Sequence, residues 1–79
     1  MTDWEQQQNE VDWVISCFID FYLNNTRIQF PTDIRMRCYA MRDILSLDCF
    51  YDYVNHSVCL WVLNEGFNCD YVSWKQIFT

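Results

Sequence analysis

One glycine and one proline in 79 residues leave this chain few places to turn sharply. These two residues are the usual punctuation of hairpins and tight turns. A sandwich or barrel needs such a signal about every 8–12 residues. Their scarcity excludes most all-β designs, and the chain has no room for a second domain. The expected fold is therefore all-α: one domain spanning 1–79, with three main helices and a short C-terminal helix.

Apolar periodicity supports that choice. Over about 3–24, Trp4, Val11, Ile15, Phe18 and Tyr22 recur at helical spacing. Thr2 with Glu5 fits a capping box, and Asn24-Asn25-Thr26 is a stop. A second helix begins near Pro31 or Thr32, where proline suits a first turn. It carries Ile34, Cys38, Met41 and Leu45 on one face. Ser46 is placed to cap a third helix over about 47–64. That helix shows Leu47, Tyr51, Val54, Val58, Trp61 and Val62 on its main face. Cys49, Cys59, Leu60 and Leu63 lie opposite, an apolar distribution expected of a central helix. Residues 58–63 are also β-prone, so a strand there, and hence an α+β fold, is the competing reading. Gly66 is a natural helix stop. Asn68 or Asp70 would then cap a last helix over 71–78.

Charge limits the partners. Eleven acidic residues face five basic ones, a net charge of −6. Sequence-independent nucleic-acid binding runs on neutralised phosphates, so this balance argues against it. The bases are not spread evenly. Residues 27–42 contain Arg27, Arg35, Arg37 and Arg42 with one acid, whereas the flanking stretches are acidic. Arg35, Tyr39 and Arg42 share a helical flank. They are the candidate contacts of an alternative reading, a small helix-turn-helix-like transcriptional regulator using Arg27–Arg42. The proposed reader segment 70–78 offers only Lys75 as a base, which weighs against it.

Six Phe, five Tyr and four Trp are more large side chains than so small a core can enclose. Some must meet solvent or a partner, and exposed apolar patches mark interaction sites. Self-association into a homodimer is one outlet. The outer face of the first helix is the leading candidate partner surface: Glu10, Trp13 and Asp20, with Phe21 beside them and Cys17 between. Tryptophan is a favoured interface anchor, and flanking carboxylates would steer a basic partner. Spaced carboxylates can also imitate a phosphate array.

Enzymatic chemistry has little support. One glycine cannot build a phosphate-cradling loop, so no nucleotide cofactor is expected. Cys59 and His56 stand at i, i+3, without an orienting third group or an oxyanion loop. Cys49, Asp52, His56 and Cys59 resemble a metal-ligand list. They spread over about 15 Å of helix, too far for one ion, so no metal site is expected.

The N-terminal stretch has no basic region followed by an apolar one, so it does not read as a targeting peptide. The longest charge-free run, Tyr53 to Asn64, is too short to span a bilayer. Five cysteines, an odd number without C-x-x-C, do not form a disulfide framework. A cytoplasmic protein with no membrane partner is expected, in the host cytoplasm if the source is viral. No motif identifies a family. By profile alone the chain is similar to small phage or mobile-element inhibitors of the anti-CRISPR or anti-restriction type. The functional expectation is a non-enzymatic acidic module that occludes a larger host protein or nucleoprotein complex with a basic surface.

Overall fold

The computed structural model describes residues 2–24 and 28–78, with residues 2–4 as backbone only. The side chains of Thr2 and Trp4, and residues Asn25, Thr26 and Arg27, lie outside the described residues. So the capping box, the Trp4 core position and part of the first stop stay as sequence expectations. The chain forms four helices: α1 (Thr2–Leu23), α2 (Thr32–Ile44), α3 (Leu47–Asn64) and α4 (Trp74–Ile77). No strand occurs among the described residues, and the fold is all-α.

Helix α1 buries Val11, Val14, Ile15, Phe18 and Ile19. The i, i+3, i+4, i+7, i+8 spacing gives a stripe wide enough to face two neighbours at once. Asn24 stops it in the left-handed region (φ 53°), a conformation asparagine tolerates better than most residues. Helix α2 starts directly after Pro31 and seals Cys38 completely, with Ile34 and Leu45 packed against the core. The Ser46 hydroxyl accepts from the Cys49 amide and caps α3.

Helix α3 is the central element. It buries Phe50, Val54, Asn55, Val58, Cys59, Trp61 and Val62. The pattern at its end rejects a strand: Val58 and Val62 are sealed, while Leu60 between them is 60% exposed. Strand alternation would put all three on one face. Leu47, Leu63 and Cys49 are also exposed, so the helix is not enclosed all round as its composition suggests. The end of α3 is a Schellman turn. The Phe67 amide reaches the Val62 carbonyl, and the Gly66 amide reaches Leu63. Gly66 stands at φ +93°, where a side chain would be strained.

The last helix is shorter than the periodicity suggests. It spans four residues, and the cap is Ser73, not Asn68 or Asp70. Residues 67–73 form an irregular strap across α3 instead. Asn55, fully buried, donates from Nδ2 to the Val72 carbonyl (2.7 Å). Its Oδ1 accepts from the Tyr22 hydroxyl (2.5 Å), and that hydroxyl in turn accepts from the Val72 amide (3.3 Å). Bound at both backbone groups from outside, Val72 has none left for a helix.

Aromatic rings anchor the C-terminal end beyond the strap. Phe78 meets Phe18 (5.2 Å) and Trp13 (5.5 Å) edge-on and stacks on Tyr51 (5.2 Å, 4°). This places α4 against α1 and α3, beside the outer face of α1.

Candidate functional site: the groove between α1 and α4

On its outer side α1 presents Trp13, Cys17, Asp20 and Phe21. Ile77 and Phe78 from the C-terminal end complete an open groove of about 330 Å³. Trp13 and Phe21 stand two turns apart, about 12 Å along the axis, with Cys17 one turn from each. Trp13 is 57% exposed and Phe21 49% exposed. The indole is nevertheless held in place, because its ring abuts Phe78 at an interplanar angle of 61°. Phe21 meets Tyr22 in the same edge-on way, 5.2 Å between centroids.

Asp20 is the acidic group of this groove. It is exposed and has no ion-pair partner among the described residues. Burial, and then the neighbouring Asp20 charge, raise the Cys17 thiol above its ordinary range. Cys17 lies between Trp13 and Phe21 along the groove, and its raised thiol favours the uncharged form.

The four residues singled out on α1 do not all meet. Trp13, Asp20 and Phe21 share the groove; Glu10 does not line it. Its carboxylate accepts from Arg42 Nε at 3.0 Å, which assigns it to the seam between α1 and α2.

That seam absorbs the arginine flank. Arg35 Nη1 lies 2.6 Å from Asp12 Oδ1, and the Tyr39 hydroxyl donates to the same oxygen (2.5 Å). Burial, and then the bond to Asp12, push the Tyr39 phenol above its ordinary range. Gln7 donates to Asp43 at 2.6 Å. Ascending positions on α1 pair with descending positions on α2, so the helices run antiparallel. Arg35, Tyr39 and Arg42 therefore form one group, as their spacing predicts, but each is engaged by an acid of α1. Arg37 pairs with Asp33 on its own helix at 3.9 Å. Arg27 lies outside the described residues. Of the proposed reader segment 70–78 only Trp74–Ile77 is helical, and residues 70–73 have no regular structure.

His56 and Cys59 go to separate partners. The imidazole stacks on Tyr71 at 4.4 Å and lies 3.7 Å from Asp52 Oδ2. Asp52 also accepts the Tyr71 hydroxyl proton at 2.7 Å. Cys59 Sγ instead sits 3.1 Å from Cys69 Sγ on the strap. No group of three or more His, Cys, Asp or Glu side chains is placed to share a metal ion among the described residues. No helix is long and apolar enough to cross a membrane among them either.

Two features of the site escape sequence reasoning. Phe78 forms one wall of the groove, but nothing local says where a C-terminal phenylalanine docks. Asn55 reads as a polar break in an apolar helix, and its role depends on residues 17 and 33 positions away. Comparison with known proteins adds no constraint: no family model, curated protein or solved structure matches the chain.

Proposed function

We propose that this chain is a non-enzymatic protein-interaction module that binds a larger partner across the α1–α4 groove. The observation that carries the reading is the state of Trp13, an indole more than half exposed yet already oriented by Phe78. An anchor fixed before binding loses little side-chain entropy when a partner covers it. Phe21 supplies a second apolar contact, and Asp20 at the edge suits a lysine or arginine on the other side. The partner is a protein or nucleoprotein complex with a basic surface. The net charge of −6 supports this, because the seam pairs two arginines with acids of the same chain and leaves carboxylates in excess. Binding acts by occlusion, as in a small inhibitor of the phage or mobile-element type.

The test is a nuclease-treated pull-down from the native host lysate, comparing wild type with Trp13→Ala. Wild type recovers a stoichiometric protein partner. The variant stays folded, with a melting temperature lowered only by the lost Phe78 contact, but binds at least ~30-fold more weakly, the hot-spot threshold of about 2 kcal/mol. Failure of wild type to recover a stoichiometric protein, or equal recovery by both proteins, defeats this reading.

A further inference from the structure

We propose that Cys59 and Cys69 form a dithiol modification site that a disulfide oxidant closes into a bond, fastening the strap 67–73 to α3. The two sulfurs are 3.1 Å apart, and a disulfide needs about 2.05 Å, so closure asks for roughly one ångström of approach. The partners come from elements of different regularity. Cys59 is 5% exposed on the central helix, whereas Cys69 is half-buried on an irregular segment able to supply that movement. No other pair of thiols lies within hydrogen-bonding distance among the described residues.

The surroundings favour this pair as an on-demand site. The strap is already aligned over α3 by the Asn55 bond to Val72, so the sulfurs need no search. Burial raises the Cys69 thiol to about 12, with the bond to Cys59 and its charge adding to that. Attack by Cys69 is therefore slow at neutral pH and accelerates as pH rises. This site stands apart from the α1–α4 groove and does not rest on the binding proposal.

The chemistry balances with glutathione disulfide as the two-electron oxidant. Cys69, the more accessible sulfur, loses its proton to solvent. Its thiolate attacks one glutathione sulfur, breaks the glutathione S–S bond and releases one glutathione thiolate. Cys59, deprotonated in turn, attacks the Cys69 sulfur of the mixed disulfide. The protein S–S bond forms and the second glutathione leaves as thiolate. The two protons lost by the cysteines equal those taken up by the two glutathione products.

The experiment incubates the native full-length chain with glutathione disulfide between pH 7 and 9, and then applies intact mass, peptide mapping without reduction and thermal melting. The expected product has lost two hydrogen atoms and yields a peptide joining residues 59 and 69. It forms about tenfold faster per pH unit, as the thiolate fraction rises. Its melting temperature is higher on the order of 10 °C, as expected for closing a short loop, and a thiol reductant reverses the gain. Cys69→Ser, at a half-buried position outside any helix, should fold, form no such product and show no gain. Three results overturn the proposal: a persistent glutathione adduct on Cys69, a bond involving Cys17, Cys38 or Cys49 in its place, or unreacted native wild type at pH 9 under conditions that oxidise the unfolded chain.

Discussion

Helix α1 is held on two sides by different chemistry. Towards α2 the contacts are charged and partly wet: Arg35 with Asp12, Arg42 with Glu10 and Gln7 with Asp43, with the paired ionic side chains 27–47% exposed. Towards α3 and the strap they are dry: the buried Asn55 amide, the Tyr22 hydroxyl and the rings around Phe78. Exposed ion pairs contribute little each, because water and salt compete for both partners. A buried polar group whose partners are removed costs its full desolvation. The seam thus sets register and consumes positive charge, while the strap side holds the molecule together and builds the groove.

The largest effect should come from breaking the dry side at its centre. Asn55→Ala removes the shorter bond to the Val72 carbonyl and the near acceptor of the Tyr22 hydroxyl, leaving only the long 3.4 Å contact between those two groups, for a loss of about 3 kcal/mol. In a domain of this size that lowers the melting temperature by roughly 15 °C, measurable by circular dichroism. A fall smaller than that of Asp12→Ala would reverse the ranking of the two sides. Phe78→Ala comes next. It removes contacts to Trp13, Phe18 and Tyr51, but the ring is only partly buried, so about 2 kcal/mol is expected in urea unfolding. It should also free the Trp13 indole, visible as a red shift and lower anisotropy of tryptophan emission. An unchanged spectrum would mean that Phe78 does not orient Trp13.

The same contrast explains how much of the molecule is legible in its sequence. The α1 stripe, the Ile34–Leu45 face and the Ser46 cap are set by neighbours within a few residues, so periodicity and cap chemistry reveal them. Gly66 belongs with them, because only a positive φ ends α3 in that turn. The strap is different. Tyr71 and Val72 follow helical spacing, yet Asn55 and Tyr22, distant in sequence, take both backbone groups of Val72. The site divides in the same way. Trp13, Asp20 and Phe21 share an outer face predictable from α1 alone. The departure of Glu10 to Arg42 and the arrival of Phe78 both depend on how other helices pack. Leu47 and Leu60 look like core and are exposed, since a small bundle has fewer inner positions than this chain has apolar residues.

The wet side should yield smaller, salt-dependent losses. Asp12→Ala frees both Arg35 and Tyr39 and should cost about 1 kcal/mol at low ionic strength, against roughly half that for Glu10→Ala. Both losses should shrink in 0.5 M salt, where the Debye length falls to about 4 Å, while the Asn55→Ala loss persists. Urea titrations at the two salt concentrations make the comparison. A salt-insensitive Asp12→Ala loss would show that this pair belongs with the dry contacts.

The smallest effect concerns the outer edge of the strap and appears only in alkali. Burial, and then the bond from its hydroxyl to Asp52, push the Tyr71 phenol up to about 12. An unfolded tyrosine ionises near 10, so between these values the folded chain holds a proton that the unfolded chain has lost. Stability from this group is complete below pH 10 and declines as pH rises towards 12. Tyr22 and Tyr39 shift in the same direction, chiefly through burial, so wild type should lose stability through these groups as well. Tyr71→Phe should lack the Tyr71 share alone and show a shallower fall in melting temperature from pH 10 to 12. Because Tyr71 is 44% exposed, solvent screens the contact and the difference should be small. Parallel pH profiles for the two proteins would place the Asp52–Tyr71 contact with the weak, wet interactions of the seam, despite its position on the strap.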